Sequence, residues 1–97
     1  MKAVFISYNQ SLTENVQEIL NKMGIRGYTQ WTDIQGRGSL KGEPHEGTHT
    51  WPELNNTHLV IVEVEKVPAL LESLKLLDEK SEQQGLRAFV WNVENSI

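Results

Sequence analysis

Apolar and polar positions along the chain alternate with two periods, and these divide it into six elements. Residues 2–8 (KAVFISY) form a short apolar run rich in β-formers, which predicts a strand. Leu12, Val16, Ile19, Leu20 and Met23 then fall on one helical stripe. The helix is expected to open on a capping box of Ser11 and Glu14 and to end at Gly24 in a left-handed cap. Residues 26–35 return to a period of two, with Tyr28, Gln30, Thr32 and Ile34 on one side and Thr29, Trp31 and Asp33 on the other, and predict a second strand. Residues 58–65 (HLVIVEVE) predict a third. From Val67, with Pro68 in the first turn, Leu70, Leu71, Leu74 and Leu77 repeat at helical spacing to about residue 82. Residues 86–93 (LRAFVWNV) close the chain as a fourth strand.

The order βαββαβ predicts an α+β, ferredoxin-like sandwich, a four-stranded antiparallel sheet with both helices on one face. At 97 residues and 11.1 kDa, 1–97 is expected to be a single domain. Two helices cover only one face of such a sheet, and the other face of an ordinary sheet is polar. Here both faces are apolar. Val4 and Ile6 stand opposite Ala3 and Phe5, the valines of the third strand opposite Leu59 and Ile61, and Ala88 and Val90 opposite Phe89 and Trp91. An uncovered patch of roughly 500 Å² is at the upper limit for a monomer. Its burial is worth on the order of 10 kcal/mol before association costs. A further copy of the chain is therefore expected to cover it.

Composition narrows the functions. The net charge is −4, with residues 1–42 carrying +2 and residues 43–97 carrying −6, which argues against a nucleic-acid partner. The absence of cysteine excludes disulfides, thiolate metal sites and thiol nucleophiles. No apolar run approaches the length of a membrane span and the first residues are unlike a signal peptide, so a cytoplasmic protein that is not membrane-inserted is expected. No nucleophile motif and no phosphate-binding glycine loop is present, and the chain is not expected to be an enzyme.

Residues 36–56 hold four of the seven glycines and two of the three prolines without apolar periodicity. Loops of this length inside a small domain are uncommon and tend to be functional. His45 and His49, with Glu43 and Glu46, carry donor types that suit a divalent metal such as Zn or Cu. Exposed loop side chains, or histidines hydrogen-bonded to the sheet, are the competing reading. Trp51 before Pro52 is expected to anchor the returning loop, and His58, at the start of a strand, to be structural or exposed.

The capped first helix, the glycine-bounded loop opened by Ile34-Gln35-Gly36-Arg37-Gly38 and the closing Ala88-Phe89-Val90-Trp91-Asn92-Val93-Glu94 resemble the PII-like signalling superfamily. The resemblance covers most of the chain. It implies a homotrimer whose open sheet faces line the central axis, with a long T-loop at residues 36–56. It also implies an adenine nucleotide bound between subunits, and a regulated membrane transporter or enzyme as partner, as in nitrogen regulation. Gly36, Arg37, Gly38 and Arg87 are the positions at which such an effector is expected. The turn at 81–87 differs from the family's Gly- and Lys-rich one, having a single glycine and Arg87 as its one base. No tyrosine lies between residues 36 and 56, so the tyrosyl modification of nitrogen-signalling members is not expected. The alternative function is a metal-binding protein of divalent-metal tolerance, with His45 and His49 as ligands.

Overall fold

A computed structural model describes residues 1–37, 53–81 and 85–97. Its four strands are β1 (Lys2–Asn9), β2 (Thr29–Ile34), β3 (Asn55–Val62) and β4 (Arg87–Asn92); its helices are α1 (Thr13–Lys22) and α2 (Val67–Lys80). The strands form one sheet in the order β2-β3-β1-β4 with every neighbouring pair antiparallel. This is the α+β ferredoxin-like arrangement expected from the periodicities. The core lies between this sheet and the helices. Val4, Ile6 and Tyr8 of β1 and Val60 and Val62 of β3 meet Val16 and Leu20 of α1 and Leu70 and Leu74 of α2, all buried.

The start of α1 differs from the expected capping box. A 3-10 turn, Gln10–Leu12, precedes the helix, so Ser11 falls inside that turn and Asn9 is its cap, with Asn9 Oδ1 accepting from the Ser11 N–H at 2.8 Å. Asn readily bonds a backbone amide two residues on, which suits an extended residue leaving a strand. The far end is as expected. Gly24 takes φ +71°, its N–H reaches Asn21 O (3.1 Å) and the Ile25 N–H reaches Leu20 O (2.9 Å). These are the two bonds of a Schellman cap, with buried Leu20 and Ile25 as its apolar pair. Lys66 Nζ adds a bond to Met23 O at 3.1 Å, placing a cation at the negative end of the helix. Gly24→Ala is expected to lower stability by about 1 kcal/mol, because alanine is strained at positive φ. A drop in the urea midpoint with an unchanged slope is the measurement.

Two strand boundaries shift. β3 begins at Asn55 rather than His58, because β1 stays paired with it to its last residue (Asn9↔Asn55, Tyr8↔Asn56, Ser7↔Thr57); pairing outweighs the low strand preference of Asn. It ends at Val62, and Val64 joins a 3-10 turn leading into α2 and is exposed, so it is not a third inward valine. β2 carries a bulge. Trp31 pairs with Thr57 but Ile34 with Asn55, so Thr32 and Asp33 together oppose Asn56. Ile34 therefore stands on the same face as Trp31, not the face of Tyr28 and Gln30 as strict alternation implied.

The second sheet face is apolar, as the sequence implied. The register aligns Leu59, Phe5 and Phe89 in one row across three strands, and Ile61, Ala3 and Trp91 in the next. Ile61 is 46%, Trp91 49% and Phe89 58% exposed, and among the described residues no helix lies over them. One chain leaves this surface in water.

Candidate functional site

The end of the sheet where β1 and β2 finish and β3 and β4 begin gathers the polar chemistry. There the chain leaves through Gly36 and Arg37 and comes back at Glu53. The Gln10 N–H donates to Leu54 O at 3.0 Å and Asn9 Nδ2 to Glu53 Oε2 at 2.6 Å, which fasten the returning segment to the end of β1. A Cβ on Gly36 would collide with the Asn55 side-chain amide, so any larger residue at that position makes the Asn55 side chain turn aside.

Arg87, at the first position of β4, pairs with Ser7. Its Nη1 donates to Leu86 O at 2.6 Å and stands 3.6 Å from Asp78 Oδ2 at the end of α2. Both partners of that ion pair are substantially exposed. Pairs of this kind contribute under about 1 kcal/mol, so an anionic ligand competes for the guanidinium at small cost. β2 and β4 are the two outer strands. Gly36 and Arg37 thus lie three strand spacings, ~14 Å, across the sheet from Arg87 and are further offset along the strands, since the register sets Arg87 level with Trp31. The structure does not bring them together within one chain.

Sequence reasoning left undecided the role of His58, which is fully buried. Tyr8, also fully buried, donates from its hydroxyl to His58 Nδ1 at 2.7 Å, and His58 Nε2 faces Gln17 Oε1 at 3.3 Å. Burial favours the neutral imidazole, and the tautomer with its proton on Nε2 satisfies both contacts, accepting from Tyr8 and donating to Gln17. Tyr28 meets the ring edge-on with centroids 4.8 Å apart. Burial pushes the His58 pKa down. Burial also pushes the Tyr8 hydroxyl up, against smaller opposing hydrogen bonds from the Gln30 and Thr13 side chains. With both ring nitrogens engaged, His58 is a core residue rather than a ligand. A lone histidine at a strand start carries no signal for which face it takes; the register of β3 against β1 decides it.

Among the described residues no three His, Asp or Glu side chains come close enough to hold a metal. Gly38, Glu43, His45, Glu46 and His49 lie outside the described residues, as do Trp51 and residues 82–84 of the turn before β4.

The model of the nitrogen regulatory protein P-II family matches residues 1–97. The chain belongs to the P-II family. Among solved structures it is similar to CPII, a nitrogen regulatory PII-like protein from Thiomonas intermedia K12, bound to ADP, AMP and bicarbonate. That likeness has 24% identity over 93% of this chain and 82% of that one, with a TM-score of 0.76. The apo form of CPII from the same organism is 20% identical over 93% of this chain and 85% of that one, with a TM-score of 0.70. At these identities the two structures establish the fold. No curated protein gives a significant match. Membership in the P-II family makes this a PII-like regulatory protein. Among the described residues no helix is long and apolar enough to cross a membrane.

Proposed function

We propose that this protein is a trimeric cytoplasmic regulator that binds an adenine nucleotide in the clefts between its subunits, and controls a transporter or enzyme through the segment between β2 and β3. The observation that carries the reading is that Gly36 and Arg37 follow the end of one outer strand while Arg87 opens the other, at the same end of the sheet. In a closed ring each copy turns one outer strand toward the next copy's other outer strand, a heterologous contact that joins the two half-sites. The bare apolar face favours the same assembly, since sheets facing a common axis remove it from water. Gly36 supplies the close backbone approach, and Arg37 and Arg87 supply charge for phosphates, with Gly38 next to them in sequence. CPII, with the same fold, carries ADP and AMP, and these are the ligands to try first.

The effector acts by binding one arrangement of the loop base more tightly than others, and it shifts the population by that difference in affinity and no more. Calorimetry with ADP tests the proposal. The wild-type chain is expected to bind, and Arg37→Glu and Arg87→Glu are each expected to weaken binding roughly tenfold or more by replacing a charge-assisted contact with repulsion. A wild-type chain that shows no binding of ADP or AMP contradicts it.

A further inference from the structure

At the base of the proposed effector site, β2 departs from regular geometry. Asp33 has φ +55°, a left-handed conformation that costs a non-glycine residue free energy and persists only where its surroundings hold it. What holds it is Asn56. Its Oδ1 accepts from the Asp33 N–H at 2.9 Å, and its Nδ2 donates to Thr13 Oγ1 at 2.8 Å. Thr13 in turn donates to Gln10 O at 2.6 Å. The buried amide of Asn56 thus ties the bulge of β2 to the first residue of α1 and to the turn that follows β1.

The bulge matters for what comes after it. One extra residue in a strand inverts the alternation of faces beyond it. Trp31 and Ile34, three residues apart, both pair with positions on the open face of the sheet. Continued two residues further, the inverted alternation brings Gly36 onto the face of Asn55, in agreement with the close approach of Gly36 to the Asn55 amide. In an unbulged β2, Gly36 and Arg37 would exchange faces.

We infer that Asn56 is the positioning residue of the effector site: by clamping the bulge at Thr32 and Asp33 it determines the face from which Gly36 and Arg37 leave the sheet. This rests on the reading of Gly36 and Arg37 as effector-binding positions. Asn56 itself touches no ligand, being buried beneath β2 on the helix side of the sheet. Asp33, by contrast, is exposed, so it can be altered without disturbing the core.

The test combines amide exchange at Asp33 with ADP titration. In Asn56→Ala the Asp33 amide, its acceptor gone, is expected to exchange roughly tenfold faster or more. ADP binding is expected to weaken roughly tenfold. Adding Asp33→Gly to that variant is expected to recover much of the affinity, because glycine takes positive φ without a clamp. General loosening of the core around Asn56 would not be repaired by a glycine on the exposed strand. Should Asn56→Ala fail to fold, Asp33→Pro serves instead: it has no N–H and cannot adopt positive φ, and it is expected to reproduce the weaker binding. If either variant binds ADP as the wild type does, while the wild type binds well, the inference is overturned and the effector reading survives. A wild-type chain that ignores ADP overturns the effector reading, and this inference with it.

Discussion

Leu59→Asp is expected to break the proposed trimer into single folded chains of 11.1 kDa. Leu59 sits in the middle of the uncovered face, paired with Phe5 of β1 and Thr29 of β2. In a lone chain Leu59 is only partly buried, and an aspartate there reaches water. In an assembly that closes over this face the same carboxylate loses its hydration without gaining a partner, at several kcal/mol per ion, or must take up a proton to enter. Symmetry repeats the penalty in every subunit. Light scattering at micromolar concentration reads the result, with far-ultraviolet circular dichroism to confirm that the fold persists. Leu76→Asp is the control, because Leu76 is an exposed leucine that lies on the helix layer, away from the open sheet face. It is expected to leave the mass unchanged. If Leu59→Asp also keeps the wild-type mass, the apolar face is not where copies meet.

The second large effect is expected at His58. Replacing it with alanine opens a cavity in the helix-facing core and leaves the Tyr8 hydroxyl buried without its acceptor. Together these are expected to cost about 3 kcal/mol. The histidine also gives the protein an acid sensitivity of definite sign. Its folded pKa lies below the ordinary 6.5, so as pH falls the unfolded chain takes up this proton first. The stability contributed by the neutral, hydrogen-bonded imidazole is thus complete above about pH 6.5 and declines as pH drops through the window beneath it. Urea midpoints between pH 7 and pH 5 are expected to fall more steeply in the wild type than in His58→Ala. Equal slopes would mean that the ring is solvated or charged. Tyr8→Phe, which removes only the donor to Nδ1, is expected to cost about 1 kcal/mol and provides a milder variant if the alanine chain does not fold.

Much of the architecture was legible because its signals are local. The stripe of Leu12, Val16, Leu20 and Met23 followed by Gly24 specifies a helix and its end without help from elsewhere. The two apolar faces of β1, β3 and β4 could be read from alternation alone, and they are the faces observed. Misreadings arose where a distant partner decides the geometry. Asn55 and Asn56 lack strand character, yet they pair because β1 runs on to Asn9. The bulge at Thr32 and Asp33 depends on an amide 23 residues away, which no window around β2 contains. Ser11 fitted a capping box, but Asn9 lies two residues ahead of it and takes the cap. The effector positions illustrate a different limit. Gly36, Arg37 and Arg87 stand out by residue type, but only the order of strands reveals that they occupy opposite edges of one sheet end, so that the proposed site needs a neighbour to complete it.

That need for a neighbour is most directly tested by mixing two inactive chains. Arg37→Glu and Arg87→Glu, each expected to be impaired alone, are unfolded together, refolded at equal concentration and titrated with ADP. If the cleft is shared between copies, random assembly joins an intact Arg37 to an intact Arg87 in about a quarter of the clefts, and full-affinity binding returns at that stoichiometry. If the mixture binds no better than its two components, the two arginines do not serve one site across a subunit boundary and the account is wrong.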